Sequence, residues 1–276
     1  MKLAVFDAGL GVEIGVVRGD AIVPTDFSGS MIDLISQWET CKNDLERMAR
    51  EPRPLSQVRL LAPILRPGKI FAIGLNYADH IAESKADTPQ HQVWFTKAVT
   101  SVNGPFDPIR IAKTGPYVDY EVEMVAVIGK RGRYISKADA PAHVFGYCVG
   151  NDVTERLWQH RTPQWSLGKS FDTHAPIGPW ISTADEVGDP HVLGLRCFVN
   201  GEKRQDSNTR HLVFNVWDQI EHLSQAMTLE PGDLIFTGTP GGVGAAMDPR
   251  KFLKPGDRVR CEIDRLGAIE AVMVEG

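Results

Sequence analysis

Two glutamates stand one residue apart in the segment VDYEVEMVAVI, residues 118–128. Side chains of a β-strand point alternately to opposite faces, so Glu121 and Glu123 share one face while Val122 lies on the other. Like charges on one face repel each other, and burial makes each carboxylate harder to ionise. Solvent, a basic partner or a cation must therefore compensate for this pair.

A third carboxylate, Asp152, follows the apolar run YCV at 147–149. Three carboxylates at strand ends can form a hard-oxygen site for Mg²⁺, Mn²⁺ or Ca²⁺. A Glu-x-Glu pair on a strand is more often a solvated face. The continuous apolar run 124–128, however, indicates burial on both faces and favours the metal interpretation.

The segment GLNYADHIAE, residues 74–83, contains a second candidate, His80 with Glu83 three residues later. On a helix these two side chains share a face. A carboxylate bonded to one imidazole nitrogen fixes the tautomer and leaves the other nitrogen free as a base. The alternative is a surface histidine beside a glutamate on the same helix face.

Two lysines lie in apolar surroundings, Lys97 in WFTK and Lys169 in SLGKSF. A partly buried lysine can stabilise an oxyanion or an enolate. The alternative is that each one extends its ammonium group to solvent along an apolar surface.

The glycine-rich loop, TGTPGGVG at 237–244, follows the apolar run 234–236. Such a loop can approach a ligand closely and offer backbone N–H groups to a carboxylate or phosphate. It lacks the Gly-Lys-Ser/Thr ending of a P-loop, and it is not a Gly-x-Gly-x-x-Gly turn followed by a helix, so nucleotide binding is disfavoured. A plain turn is the alternative.

The first 57 residues predict a small α+β unit. Short β-like runs at 2–6, 13–17 and 21–23 are separated by turns. One amphipathic helix is predicted from the helical spacing of Met31, Leu34, Ile35 and Trp38. The segment EPRPLS at 51–56 predicts a linker.

From residue 58 to 276 the pattern consists mostly of strands and turns. Strands are predicted at 69–73, 124–128, 234–237, 259–263 and 269–274, and helices at 76–84 and within 214–227. The larger unit is therefore a β-rich α+β domain.

Composition excludes several classes of protein. The 276 residues are 42% hydrophobic and 24% charged, which is typical of a globular protein, and the formal net charge of -5 disfavours a nucleic-acid partner. No apolar run approaches the roughly 20 residues that span a bilayer. Charged residues near the start argue against a secretory signal, and the four scattered cysteines predict reduced thiols in a cytoplasmic protein.

Several blocks resemble the fumarylacetoacetate hydrolase superfamily, in its acylpyruvase-like branch. They occur in the family's order and extend from about residue 68 to the C-terminus. The blocks are NYADHIAE (76–83), DYEVEM (119–124), GYCVGNDVT (146–154), LGKSFDTHAPIGP (167–179), VNGEKRQ (199–205) and LEPGDLIFTGTPGGVG (229–244).

The resemblance implies a mixed β-sandwich roll and assigns roles to residues of this chain. The implied metal ligands, for Mg²⁺ or Mn²⁺ with Ca²⁺ as a substitute, are Glu121, Glu123 and Asp152. The implied catalytic residues are His80 and Glu83, carried on a lid, and Lys169. The implied substrate-binding residues are Lys97, Gln159, Gly238 and Thr239.

The chain departs from the family pattern after Thr154. The family commonly has Ala-Arg-Asp where Glu155, Arg156 and Leu157 stand here. Leu157 removes an acidic group, which puts the orientation of Gln159 in question.

The resemblance implies a metal-dependent hydrolase that cleaves a C–C bond in an acylpyruvate or another 2,4-dioxo acid. Water activated by His80 and Glu83 would attack the 4-carbonyl and leave a pyruvate enolate. The alternatives are decarboxylation of oxaloacetate-like acids, isomerisation or hydration of 2-oxo-dienoates, and binding of 2-oxo acids without turnover. A homodimer is expected, and segment 84–92 is expected to shape substrate preference.

Overall fold

The computed structural model describes residues 1–9, 11–47, 50–84 and 87–276. Within them, the strands are β1 Lys2–Asp7, β2 Val12–Arg18, β3 Ala21–Pro24, β4 Arg53–Pro54, β5 Arg59–Leu61, β6 Ile70–Gly74, β7 Val93–Thr96, β8 Val102–Asn103, β9 Ile109–Ile111, β10 Val118–Asp119, β11 Val122–Ile128, β12 Val144–Asn151, β13 Thr154–Glu155, β14 Ala175–Thr183, β15 Gly194–Val199, β16 Glu202–Asn208, β17 Leu234–Phe236, β18 Arg258–Ile263 and β19 Gly267–Glu275. The α-helices are α1 Met31–Ser36, α2 Trp38–Arg47, α3 Ala78–Ser84, α4 Arg156–Gln159, α5 Ala184–Val187 and α6 Val216–Ala226.

Three sheets organise these strands. The largest has the order β4-β3-β2-β1-β14-β12-β11-β17-β6-β7, with β5 added to β1 and β8 added to β14. A five-stranded sheet has the order β16-β15-β18-β19-β9, and β10 pairs with β13 in a short third sheet. The predicted β-rich α+β class is confirmed.

Strand β11 is buried on both faces, as the sequence predicted. Met124, Ala126 and Ile128 belong to the hydrophobic core shared with the five-stranded sheet. Val125 and Val127 belong to a second core, which includes side chains of α1. Packing on both faces fixes the position of β11, which begins at Val122, between the two glutamates.

The N-terminal strands occur where the sequence predicted them, but the prediction of one helix is wrong. Helix α1 ends at Ser36 and α2 begins at Trp38, with Gln37 as the cap between them. The Ser36 hydroxyl bonds back to the Ile32 carbonyl, which competes with regular helix geometry. Trp38 then packs edge-on against Phe145, with ring centroids 4.9 Å apart, in the largest sheet.

The N-terminal unit and the remainder of the chain share the largest sheet. Strand β1 pairs with β14 through Leu3 and Ile181, and the predicted linker 51–56 contributes β4, which pairs with β3. The division into domains 1–57 and 58–276 stays a prediction.

The four cysteines are free. No helix in the described part of the chain is long and apolar enough to span a bilayer.

A buried histidine lies just before β14. The side chain of His174 has no exposed surface, its Nε2 lies 2.9 Å from the Arg110 carbonyl oxygen, and its Nδ1 has no hydrogen-bond partner among the described residues. Burial lowers the pKa of His174 to about 4 from a usual 6.5. The imidazole is therefore neutral in the folded protein at neutral pH.

We expect His174 to destabilise the fold in acid. Between pH 6.5 and about 4 the unfolded chain binds a proton that the folded chain does not, so the free energy of unfolding falls as the pH is lowered through this range. The loss is about 3 kcal/mol by pH 4. Denaturant titrations of the wild type and His174→Gln measure it, and curves that stay parallel between the two proteins across this range would contradict the prediction.

Candidate metal centre and active site

The register of β11 on β12 brings the three predicted carboxylates together. Glu123 lies opposite Gly150, and the Asp152 N–H donates to the Glu121 carbonyl at 2.9 Å. A Cβ on Gly150 would lie 2.6 Å from Val125, so glycine permits this close pairing. One carboxylate oxygen from each of Glu121, Glu123 and Asp152 lies within 4.8 Å of the others, and all three side chains are buried.

Both predicted lysines contact this carboxylate cluster. Lys169 Nζ lies 2.7 Å from Glu121 Oε2 and 2.7 Å from Asp152 Oδ2. Lys97 Nζ lies 2.6 Å from Asp152 Oδ1 and also donates to the Lys169 carbonyl. Neither lysine extends to solvent, since their relative exposures are 3% for Lys97 and 2% for Lys169.

Sequence reasoning missed the pair formed by Arg156 and Asp119. The buried Asp119 carboxylate accepts hydrogen bonds from Nε and Nη2 of Arg156 at 3.0 and 2.8 Å. The third guanidinium nitrogen lies 2.8 Å from Glu121 Oε1 and 3.0 Å from Gln159 Oε1. Asp119 lies two residues before Glu121 on the same side of the chain, and this spacing is the signal that could have identified it.

The charges are balanced around two of the three carboxylates but not around Glu123. Burial raises the pKa of Glu121, but Lys169 and Arg156 outweigh it and hold that pKa below its usual value. Burial, with Asp152 and Glu121 nearby, raises the pKa of Glu123 well above its usual value. Glu123 Oε2 accepts the Gly238 N–H at 2.8 Å, and Oε1 accepts no hydrogen bond among the described residues.

These observations fit a hard divalent cation. Three oxygen-donor side chains converge, and one of them is a buried carboxylate with no cationic side chain bonded to it. A dication would supply the missing positive charge and would still have coordination positions free for water or a ligand.

The glycine-rich loop uses its N–H groups on carboxylates of the protein, and not on a phosphate. Gly238 donates to Glu123, and Gly242 donates to Glu83 Oε2 at 2.8 Å. The other bonds of the loop and of the residue after it run from Gly241 to Asp79 Oδ1 (3.4 Å), from Gly244 to Asp119 Oδ1 (2.8 Å) and from Ala245 to Asp119 Oδ2 (2.9 Å). One loop thus connects Glu123 and Asp119, at the carboxylate cluster, to Asp79 and Glu83 on α3.

Helix α3 carries the predicted dyad beside this loop. His80 Nδ1 lies 2.9 Å from Glu83 Oε1, and both side chains are half-buried. The Ser207 hydroxyl donates to Asp79 Oδ2 at 2.6 Å, so α3 is fastened at two positions. With Nδ1 donating to Glu83, His80 Nε2 has a free lone pair.

The predicted substrate-binding residues lie around the cluster with most of their polar atoms already bonded. Thr239 Oγ1 donates to the Val122 carbonyl at 3.0 Å and accepts from Gln205 Nε2 at 2.9 Å. Gln205, which sequence reasoning missed, also accepts the Val122 N–H at 2.9 Å. Gln159 is positioned by Arg156, and substrate contacts by Gln159, Lys97, Gly238 and Thr239 stay predictions.

The departure from the family pattern has a structural consequence at Glu155. Its buried carboxylate accepts the Trp158 N–H at 2.7 Å, which caps α4, and the Tyr117 N–H at 3.1 Å. Leu157 is exposed. Gln159 is therefore oriented by Arg156 and by this cap without an acidic residue at 157. Of the segment 84–92, residues 85 and 86 lie outside the described residues.

We expect divalent-cation affinity to depend on Glu123 and on pH. A cation must compete with protonation of Glu123, whose pKa burial raises, so the affinity for Mn²⁺ should fall as the pH is lowered, by up to tenfold per pH unit. Glu123→Gln should weaken binding roughly 100-fold or more. Calorimetric titration with Mn²⁺ measures both effects. Glu39→Gln, an exposed control, should bind like the wild type, and pH-independent affinity would contradict the prediction.

We expect Gly242→Ala to impair turnover without affecting metal binding. Gly242 has a φ of +101°, and a Cβ there would lie 2.0 Å from the Arg204 carbonyl oxygen, so the loop must shift away from Arg204, which disturbs its bond to Glu83. A displacement of the dyad by about 1 Å costs roughly 100-fold in kcat. Gly201→Ala is the matched control, because its φ is +82° and its Cβ would meet nothing within 4 Å. Equal losses in the two variants would attribute the effect to backbone strain alone.

Similarity to curated proteins extends over most of the chain. The mitochondrial oxaloacetate tautomerase FAHD2A of Bos taurus is 44% identical over 260 residues, which cover 92% of this chain and 82% of that protein. Its counterpart from Homo sapiens is 43% identical over 269 residues, covering 94% and 85%. Because these relatives are named as mitochondrial proteins, the expectation of a cytoplasmic protein is wrong.

Similar solved structures cover the whole chain. Maleylpyruvate hydrolase from Sphingobium sp. SYK-6, in complex with manganese (II) ion and pyruvate, is 36% identical with a TM-score of 0.87 over 100% of both chains. The 2-hydroxyhepta-2,4-diene-1,7-dioate isomerase from Mycobacterium marinum is 32% identical with a TM-score of 0.82, over 100% of this chain and 98% of that one.

The family model described as fumarylacetoacetate (FAA) hydrolase C-terminal matches residues 69–274. This range includes all the residues of the carboxylate cluster, the dyad and the glycine-rich loop. The chain therefore belongs to the fumarylacetoacetate hydrolase family and is an enzyme of that superfamily.

Proposed function

We propose that this enzyme interconverts the enol and keto forms of oxaloacetate or a closely similar 2-oxo dicarboxylate, with a divalent cation bound at Glu121, Glu123 and Asp152. The proposal differs from the acylpyruvate hydrolase that the sequence favoured. The observation that carries it is the 43–44% identity with oxaloacetate tautomerases over more than nine-tenths of the chain. Decarboxylation, one of the alternatives to the hydrolase, uses the same substrate. Its product, pyruvate, distinguishes it from tautomerisation.

The dyad has the chemistry that tautomerisation requires. The reaction moves one proton between C3 and the oxygen on C2. His80 Nδ1 is bonded to Glu83 Oε1 at 2.9 Å, so Nε2 can take the proton from C3 and deliver it to the oxygen on C2, and it carries the proton the opposite way in the reverse reaction. Glu83 is in turn held by the Gly242 N–H, so the carboxylate keeps the imidazole in one tautomer and one orientation.

The residues around the cluster supply binding and charge. Mg²⁺ or Mn²⁺ held by Glu121, Glu123 and Asp152 would supply a Lewis acid for the 2-oxo carboxylate group of the substrate. Lys169 keeps its proton, because Asp152 and Glu121 raise its pKa although burial opposes this, so it stabilises negative charge near the enolate oxygen. Gln159, Lys97, Gly238 and Thr239 are proposed to orient the substrate.

Hydrolysis of an acylpyruvate is the second candidate. Maleylpyruvate hydrolase shares the fold over the full chain and was crystallised with manganese and pyruvate. Both reactions use an enolate of a 2-oxo acid, and they differ in whether the base activates water or moves a proton at C3. Binding without turnover is disfavoured, because binding alone needs no base oriented by a carboxylate.

We also propose a homodimer. Leu157 on α4 and Leu167 in the adjacent turn are 41% and 62% exposed. These two leucines, on neighbouring elements, offer apolar surface that a second copy of the chain would cover. Light scattering after size exclusion measures the oligomeric state, and a monomer at micromolar concentration would contradict this part of the proposal.

We expect His80→Ala and Glu83→Gln to slow ketonisation of enol-oxaloacetate roughly 10²–10⁴-fold, because each variant removes the oriented base. The ultraviolet absorbance of the enol follows the reaction, and Mn²⁺ binding measured in parallel should stay unchanged. His222→Ala, which alters an exposed histidine on α6, should retain full activity.

Product analysis separates the candidate reactions. Oxaloacetate that is recovered intact after catalysed ketonisation supports the tautomerase. Pyruvate formed from oxaloacetate would establish the decarboxylase, and pyruvate with a free acid formed from an acylpyruvate would establish the hydrolase. Tautomerisation at the uncatalysed rate in the Mg²⁺-loaded and Mn²⁺-loaded wild type would overturn the proposal.

A further inference from the structure

A basic cavity lies on the face of segment 120–121 opposite to the carboxylate cluster. Its volume is about 260 Å³, and its lining includes Tyr120, which precedes Glu121 and points to the opposite face. The Tyr120 hydroxyl donates to the Gly242 carbonyl at 3.0 Å. The cavity therefore adjoins the glycine-rich loop but contains none of the proposed metal ligands. Its cationic lining residues are Arg204, Arg250, Lys251 and Lys254.

The guanidinium of Arg204 is incompletely bonded although it is nearly buried. Its side chain is 11% exposed, its Nε is buried without a hydrogen-bond partner among the described residues, and one terminal nitrogen meets the thioether sulfur of Met247 at 3.2 Å. The other terminal nitrogen reaches the carboxylate of Glu202 at 2.9 Å, and the guanidinium also contacts the Tyr120 hydroxyl. A thioether is a weak acceptor and Nε has no partner among the described residues, so this cation retains part of its donor capacity.

The other cations in the cavity leave a surplus of positive charge. The side chains of Arg250 and Lys254 form no ion pair with any described residue, and Lys251 shares Glu202 with Arg204. Among the described lining residues the single carboxylate is that of Asp257, and it already accepts from Asn200 Nδ2 at 2.8 Å and from the Lys254 N–H at 2.7 Å.

We propose that this cavity is a second anion-binding site, for a compact oxyanion that carries two or more negative charges. Arginine presents several N–H groups in a plane that suits carboxylate or phosphate oxygens, and lysines add charge without fixed geometry. A volume of about 260 Å³ accommodates a phosphate group or a small dicarboxylate. The unused donors of Arg204 and the unpaired Arg250 and Lys254 are the groups that such an anion would engage.

Calorimetric titration of the Mg²⁺-loaded full-length protein with inorganic phosphate, at constant ionic strength, tests the site. Arg250→Ala with Lys254→Ala removes two exposed cations of the cavity, so the fold should be retained, and phosphate affinity should fall at least tenfold. Lys130→Ala with Arg131→Ala removes the same charge elsewhere on the surface and should leave affinity unchanged. Glu123→Gln should also leave it unchanged, because it disables the metal site only.

The variants distinguish phosphate bound in the cavity from phosphate bound elsewhere on the protein. Affinity that is lost in Glu123→Gln but kept in the cavity variant would place phosphate at the metal centre and overturn the proposal. Equal losses in the two double variants would indicate general surface charge and would also overturn it. A parallel titration with succinate identifies the source of the oxyanion, phosphate or dicarboxylate. Saturable binding of neither probe by the wild type would end the proposal.

Discussion

The site depends on hydrogen bonds from the backbone of one loop to four buried or half-buried carboxylates. The glycine-rich loop and Ala245 donate to Glu123 in the metal cluster, to Asp119 beside it, and to Asp79 and Glu83 on α3. Each of these bonds joins a charged acceptor to a fixed amide dipole, and such bonds are stronger than those between neutral groups. The loop therefore sets the distance between the proposed cation and the proposed base.

Charge balance explains why so many ionisable groups can be buried in one place. Asp152 is flanked by Lys97 and Lys169, and Arg156 neutralises Asp119 while it also contacts Glu121. Desolvation of an unpaired charge would cost several kcal/mol, so these pairs are a condition for folding as well as for chemistry. Of the three clustered carboxylates, Glu123 lacks such a partner among the described residues, and the cluster can therefore accommodate a cation.

The sheets provide rigidity beneath this arrangement. Strand β11 is packed on both faces, and its pairing with β12 extends to the residue before Asp152. A dense, two-sided core leaves the metal-site carboxylates little freedom to move. Helix α3 is held to this body by side-chain and loop hydrogen bonds at Asp79 and Glu83.

Part of the fold and part of the site could be predicted from the sequence, because these parts depend on local patterns. Strand alternation placed Glu121 and Glu123 on one face, helical spacing paired His80 with Glu83, and the apolar run 124–128 predicted a strand buried on both sides. The family resemblance joined Asp152 and Lys169 to the same site. Predicting these features requires only the neighbouring residues or the blocks that resemble the family.

Other features were decided by tertiary structure, because they join residues far apart in the chain. The sequence suggested that the glycine-rich loop binds a ligand, but its N–H groups are occupied by carboxylates up to 162 residues away. The contact between Arg156 and Asp119 spans 37 residues, and that of Gln205 with Val122 spans 83, so periodicity cannot reveal either one. Trp38, the first residue of α2, contacts Phe145 in a distant sheet, and the helical spacing of residues 31–38 does not reveal this contact. Local patterns determine which groups can do chemistry, whereas long-range hydrogen bonds decide how those groups are paired.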